Sequence, residues 1–529
     1  MFDYKRLQEA VRSENGVSRR LFLSYGAALS TLPLMGRASW ADPSPVFQKD
    51  PFSLGVASGD PDSSSVILWT RLAPEPLAPH AGMGPQAVAV RWEVANDEGF
   101  TQRVASGTTQ ATPQLGHTVH VEVKGLQPDR WYWYRFQAGD AKSPAGRTRT
   151  MPLETELPDQ LKFAFASCQN YESGLFTAYE QMAQDDVDLV FHLGDYIYER
   201  ENRKKNTVRA HFGPEIETLE HYRTRHSQYR SDPLLHGMHA KCPWIVTWDD
   251  HEFDNNCAGD ISEESQVDPV EFLLRRANAY QAYYEMMPLR AGSLPQGPHM
   301  QLYRQASFGR LADFFVLDTR QYRSDQPNGD KKSPINDAAL MRKNTLLGSR
   351  QRHWLQSGLI SSDGIWNVLA QQVMMGMVGF PQKAGALAYS MDQWPGCSYE
   401  RMGLMQFLAD RQVPNPVVLT GDIHSNWVNN LRVDDRQSET PVIATEFVGT
   451  SISSGGNGVE KRKGHAELLS NNPCIQFQNS ERGYVRCTVT PEKWTSEYMV
   501  VDNVTRPGGK VSPRAAFVVE AGQPGAHPA

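Results

Sequence analysis

Along the middle and end of this chain, short runs of apolar residues are each broken off by an abrupt cluster of polar ones. Phe163-Ala164-Phe165-Ala166-Ser167 ends in Cys168-Gln169-Asn170, and the run from Val187 to Leu193 ends in Gly194-Asp195-Tyr196-Ile197-Tyr198. Pro243 to Thr247 runs into Trp248-Asp249-Asp250-His251-Glu252, Asp313 to Leu317 into Asp318-Thr319-Arg320, and Pro416 to Thr420 into Gly421-Asp422-Ile423-His424. Runs this short, rich in β-branched and aromatic residues and without polar alternation, predict strands buried on both faces. Ligands of such sheets sit beyond the carboxyl ends of the strands, so one polar pocket could gather all five ends. Between the strands, residues 174–184, 270–287 and 349–359 predict helices. The alternation predicts an α/β or layered α-β-β-α domain. Residues 451–464, rich in Gly, Ser and Lys, predict a mobile loop.

The N-terminal part follows a different rhythm. Residues 65–70, 88–94 and 118–123 are short alternating runs, and the turn Gly125 to Asp129 leads into Trp131-Tyr132-Trp133-Tyr134-Arg135-Phe136. A period of two predicts half-buried strands, and the turn before alternating aromatics fits the tyrosine corner of an immunoglobulin- or fibronectin-like β-sandwich. This module is expected over residues 42–152, followed by the α/β domain over 153–529, the latter closing in a C-terminal tail.

A 529-residue chain exceeds one ordinary core, in agreement with two domains. With 40% hydrophobic and 21% charged residues it is a globular composition, and a net charge of −7 without a basic tract excludes nucleic acid as an expected partner. Residues 1–41 are set apart. Ser18-Arg19-Arg20-Leu21-Phe22, an interrupted apolar stretch and Ser39-Trp40-Ala41 resemble a twin-arginine export signal with its cleavage site. The apolar stretch falls short of the roughly 20 residues that span a bilayer, so no transmembrane anchor is expected in the mature chain. Cleavage before Asp42 would remove a surplus of three positive charges and leave −10. Export by that machinery, to the periplasm or beyond, implies folding before transit, commonly with a cofactor loaded. The six cysteines show no CxxC spacing; Cys242 and Cys257, which flank the central polar cluster, could bridge, but spacing alone assigns no disulfide.

The polar clusters carry the chemistry. Oxygen, nitrogen and sulfur donors converging from separate strands suggest a dinuclear metal site with a bridging carboxylate. Tyr198, three residues after Asp195, supplies a phenolate suited to ferric iron, Cys168 a thiolate and His424 an imidazole. Asp250 and Asp422 suit a harder cation such as calcium. Arg320 is either a bidentate phosphate clamp or one partner of an ion pair. Asp249 or Asp250 could instead cap a helix.

Gly194-Asp195-x-x-Tyr198, Asp250-His251-Glu252 and Gly421-Asp422-x-His424, in this order, resemble the signature of the calcineurin-like metallophosphoesterases, in the tyrosine form of the purple acid phosphatases. Asp250 and Asp422 depart from the usual Asn and His, and Cys168-Gln169-Asn170 replaces the usual opening Asp-x-His. That combination is similar to the PhoD-type alkaline phosphatases and phosphodiesterases, as are the segment from Phe52 to Pro61, Leu317 to Arg320 and the export signal. The resemblance implies a four-layer α-β-β-α sandwich behind the N-terminal β-sandwich. It implies a site of one ferric iron and one or two calcium ions, hydrolysing phosphate monoesters or diesters at alkaline pH. Carried over by position, Cys168, Asp195, Tyr198 and His424 would hold iron, with Asp195 bridging. Asp250 and Asp422, with Asn256 helping, would hold calcium, and His251 would face the phosphoryl group or protonate the leaving oxygen. Alternatives are a diesterase for phospholipids or wall polymers and, in another class, a non-catalytic surface protein in which metal is structural.

Overall fold

The computed structural model describes residues 46–200 and 207–529; the export signal expected over residues 1–41 lies outside the described residues. Two sheets lie face to face. The larger has ten strands, in spatial order Gln523–Pro528, Val511–Glu520, Lys493–Val501, Arg482–Val489, Leu161–Ala166, Leu189–Leu193, Trp244–Thr247, Val56–Gly59, Ser65–Arg71 and Thr118–Lys124. The other has seven, in the order Arg304–Phe308, Ala312–Val316, Trp366–Ala370, Pro416–Thr420, Ala444–Val448, Asn426–Leu431 and Ile475–Asn479.

The unbroken apolar runs are explained by burial on two sides. Phe163, Phe165, Phe191 and Ile245 point into the core between the sheets, where they meet Phe314, Val316, Val368, Val417 and Leu419. Their alternate neighbours Ala164, Val190, Trp244 and Val246 point the other way, against helices Leu219–Arg230, Pro233–His239 and Pro269–Met286. On the second sheet Phe315, Leu317, Leu369 and Val418 face helices Gly348–Ser361 and Ser398–Asp410. Each strand thus has an apolar residue for both faces, and the layers run α-β-β-α. The helix expected over 270–287 begins one residue earlier, at Pro269, because Asp268 caps it, accepting the Val270 N–H at 2.8 Å.

The N-terminal module is a β-sandwich with a tyrosine corner: the Gln127 N–H donates to the Tyr132 hydroxyl at 2.8 Å. It is not closed off from the rest, however. Its outer sheet, built on Val88–Ala95, Arg103–Ala111 and Trp131–Ala138, packs over strands 56–59, 65–71 and 118–124, which continue the ten-stranded sheet of the other domain through the parallel pairing of Gly59 with Trp244. A C-terminal tail was also expected, and it too is sheet. Residues 482–528 form four antiparallel strands that extend the ten-stranded sheet beyond Leu161–Ala166. Val485, Val489, Trp494, Tyr498 and Phe517 from these strands complete the core.

All six cysteines are buried and free, so Cys242 and Cys257 form no bridge. Among the described residues no helix is long and apolar enough to cross a membrane.

Candidate metal centre

Four of the predicted strand ends converge at one edge of the two sheets, carrying Cys168, Asp195, Asp250 and Asp422. Gly194 lets two of them approach: a Cβ there would lie 2.5 Å from the Asp249 Cβ, and its φ of +105° is one that side-chain-bearing residues avoid. The residues that follow bend sharply inward. Cys168, Asp195, Asn256, Asp422 and His424 all have φ between 48° and 65°. Asp, Asn and His tolerate this left-handed region best; for Cys168 it costs on the order of 1–3 kcal/mol, a strain that clusters where a site must be assembled.

The donor atoms form two overlapping groups. One ligand atom each from Cys168, Asp195 and His424 lie within 4.8 Å of one another, and so do those of Asp195, Asp250 and His251. Tyr198 joins the first group, its hydroxyl donating to Asp195 Oδ2 at 2.7 Å and lying 3.2 Å from His424 Nε2. Asn256 backs Asp250, donating its backbone N–H to Oδ2 at 2.7 Å, while its side-chain amide turns to Asp330. Asp422 stands apart from both groups and is met by Gln393 at 3.5 Å. Asn170, which replaces a motif histidine, is occupied structurally: its Oδ1 accepts the backbone N–H groups of Glu172 and Ser173, each at 3.0 Å.

A metal fits these residues. Among the described residues Asp195 Oδ1 is buried without a hydrogen-bond partner although Oδ2 is satisfied. Burial pushes the Cys168 thiol, the Tyr198 phenol and the Asp195 carboxyl well above their ordinary values, with neighbouring anions adding to it. Asp422 rises for the same reason, burial first and then Asp249 and Asp392. His424 moves oppositely, down to about 3 through burial, Arg482 and His251, which keeps its lone pair free for coordination. A pocket that resists holding its own negative charges is one that a cation stabilises.

Around the donors stands a supporting layer. Glu252 ties three strand-end amides together, accepting from the N–H of Asp195 at 3.0 Å, Tyr196 at 2.6 Å and Asp249 at 2.8 Å. Glu199 holds His251 Nδ1 at 2.7 Å, which leaves Nε2 for the site, and the Tyr198 ring lies over the imidazole at 4.1 Å. Ser454 Oγ sits 2.7 Å from both the Tyr198 hydroxyl and the Cys168 carbonyl. Ser454 belongs to the stretch expected to be a mobile loop; its first residues, Ser451 to Ser454, are instead buried against the donors. Sequence reading missed it because the strand that delivers it, Ala444–Val448, was not anticipated. Glu199, directly after the Tyr198 motif, offered a signal only through its position.

Arg320 is not a phosphate clamp. Fully buried, it donates Nε to Asp249 and both terminal nitrogens to Asp392 at 2.8 and 3.0 Å, which leaves no free edge for a substrate. Removing one partner from a buried ion pair strands the other charges, so Arg320→Met is expected to lower unfolding stability by about 3–5 kcal/mol in denaturant titrations. An unchanged stability with a raised KM would return Arg320 to substrate binding.

A layered α-β-β-α sandwich with such donors at its strand ends is the architecture of metal-dependent phosphoesterases. The chain belongs to the PhoD-like phosphatase family: that family's profile matches residues 163–498, and the profile of its N-terminal domain matches residues 38–152. It is 50% identical over 533 aligned residues to alkaline phosphatase D of Bacillus subtilis (strain 168), an alignment covering 98% of this chain and 91% of that protein. A solved structure described as that of PhoD matches with a TM-score of 0.89 at 52% identity, covering 92% of this chain and 93% of the other. The chain is therefore a phosphatase acting on phosphoesters, and the reading as a non-catalytic surface protein is set aside.

Proposed function

We propose that this chain is an exported phosphatase that hydrolyses phosphate monoesters, diesters or both at a site of one ferric iron and one or two calcium ions. The observation that carries the metal assignment is Asp195: it belongs to both groups of donor atoms and its buried Oδ1 has no partner among the described residues. Cys168, Tyr198 and His424 beside it would hold iron, and Asp250, with Asp422 and Asn256, would hold calcium. Bound there, the cations would supply an activated water and neutralise phosphoryl charge.

The chain's own groups supply proton handling. Burial lowers the pKa of His251, yet Glu199, first among the neighbouring charges, with Asp250 and Asp195 outweighs it and raises it well above the ordinary value, which favours the charged ring. With Nδ1 fixed on Glu199, the Nε2 proton is the one available to a leaving oxygen. Arg19-Arg20 and the flanking sequence support twin-arginine export to the periplasm or medium.

The test is metal analysis of natively exported protein, paired with assays on a monoester and a diester before and after calcium chelation. One iron per chain and loss of activity on chelation are expected, and the ratio of the two assays decides whether diesters such as phospholipids or wall polymers are substrates. Iron-free protein with full activity after chelation would overturn the assignment. A purple or brown phenolate-to-iron absorption is expected, and Tyr198→Phe should abolish it.

A further inference from the structure

The outer sheet of the N-terminal module turns Val90, Val94 and Phe136 into the module's own core and leaves Arg91, Ser106, Thr108 and Lys142 exposed on its other face. Strand register brings cations from separate strands together there. Thr108 pairs with Arg91, Arg91 with Gln137, and Gln137 with Lys142 of the short strand Ala141–Lys142, so one row of side chains runs across four strands. In the next row Ser106 pairs with Glu93, and Glu93 with Arg135. Residues paired in this way share a face of the sheet.

These side chains line a depression of 290 Å³ whose charges do not balance. Arg103 and Arg135 share Glu93, the former at 3.5 Å. Among the described residues Arg91 and Lys142 make no ion pair. Four cations therefore face one carboxylate, on a chain whose net charge is −7. A concave surface with such an excess draws anions to it.

Spacing decides the kind of anion. Neighbouring strands lie about 4.8 Å apart, which puts Lys142 and Arg91 about 10 Å apart across Gln137. One phosphate group cannot span that gap, whereas charges repeated along a chain can. The carboxylates argue against a charged plane. Asp97 and Glu98 stand on the turn after Ala95, and Asp140 on the turn after Ala138. Because Ala95 pairs with Trp133 and Val90 with Ala138, those turns lie at opposite ends of the strands. A bilayer of anionic headgroups laid on the face would meet both acidic ends. A thread crossing the strands meets cations, the Gln137 amide and the Thr108 hydroxyl. That row holds no aromatic side chain on which a base could stack.

We propose that this face binds a flexible polymer carrying a phosphate in each repeat, laid across the strands so that Lys142 and Arg91 take successive phosphates and Arg135 or Arg103 another. The module would thereby hold the phosphatase on a phosphate-rich polymer, whichever metals its catalytic centre carries.

The test uses the full, metal-loaded protein and a fluorescent oligomer of propanediol phosphodiesters, which has the charge of a nucleic acid strand and no bases. Anisotropy titrations should show binding that weakens about 10²-fold for a tenfold rise in salt, the response for about three phosphate contacts on a single strand. Arg91→Gln combined with Lys142→Gln should weaken low-salt binding by about tenfold or more and cut the salt response to about fivefold. Arg91→Lys combined with Lys142→Arg should keep both. Either single glutamine change should give part of the loss, and decides if the pair does not fold. Unchanged binding in the glutamine variants would place the oligomer elsewhere and overturn the proposal, as would equal binding of an uncharged methylphosphonate oligomer. Tighter binding of phosphatidylglycerol vesicles, or of single-stranded DNA of the same length, would overturn it in favour of a membrane or a nucleic acid.

Discussion

Asp195→Asn is expected to yield folded protein that retains neither metal and whose kcat falls by about 10³-fold or more. Asp195 is the one side chain common to both groups of donor atoms, so its loss removes a ligand from each side at once. Charge neutralisation and water activation together account for several kcal/mol of barrier, and each 1.36 kcal/mol is tenfold in rate. The change should not unfold the protein. Burial raises the Asp195 pKa well above its ordinary value and, although His251 opposes this, Asp250, Asp249 and Glu252 raise it further. A carboxyl whose folded pKa is raised favours the folded state at low pH and loses that contribution as pH rises from the unfolded value, about 3.9, through the folded one. Metal-free wild type should therefore weaken with rising pH across that window, and metal-free Asp195→Asn should weaken less. Metal content, kcat and unfolding midpoints against pH check all three; full metal occupancy in the variant would remove Asp195 from the bridging position.

The second large effect is at His251. His251→Asn is expected to lower kcat/KM by about 10²–10⁴-fold with metal content unchanged, the range typical of a lost general acid. The loss should be greatest for alkyl esters, whose leaving oxygen needs a proton, and least for nitrophenyl esters, whose does not. A uniform loss would leave His251 a phosphoryl contact only. Glu199→Gln separates the two roles further. Against the lowering effect of burial, Glu199 is the foremost charge raising the His251 pKa, so its neutralisation should move the alkaline limb of the pH profile to lower pH. An unmoved limb would mean that His251 is not the group titrating there.

The two predictions draw on different kinds of information. The identity of the donors was legible in the chain, because a β-branched or aromatic run that stops in Asp-x-x-Tyr or Asp-x-His marks the end of a buried strand and carries its own chemistry. What stood beside each donor was not legible. Arg320, placed after an apolar run like the other candidates, could equally have faced substrate; only the arrival of Asp392, from 72 residues further on, consumes its donors. Ser454 was hidden in a Gly- and Ser-rich stretch whose composition is that of a loop, and it is ordered by contacts to residues more than 250 positions away.

The same division holds for the fold. Local pattern alone determined the five strands that lead into Cys168, Gly194, Trp248, Asp318 and Gly421, the helix after Asp268, the tyrosine corner at Tyr132 and the layered α/β class, because these depend on periodicity and caps within one segment; strands Arg304–Phe308 and Trp366–Ala370 were not among them. Tertiary structure decided that strands 56–59, 65–71 and 118–124 extend the same sheet as the strands that carry Cys168, Asp195 and Asp250, and that residues 482–528 are four more of its members. Strand partnership is a long-range hydrogen-bonding choice, and no residue along the chain encodes its partner's number. It also decided that Arg230 lies buried, since a charge in sequence reads as solvent-facing until the fold closes over it.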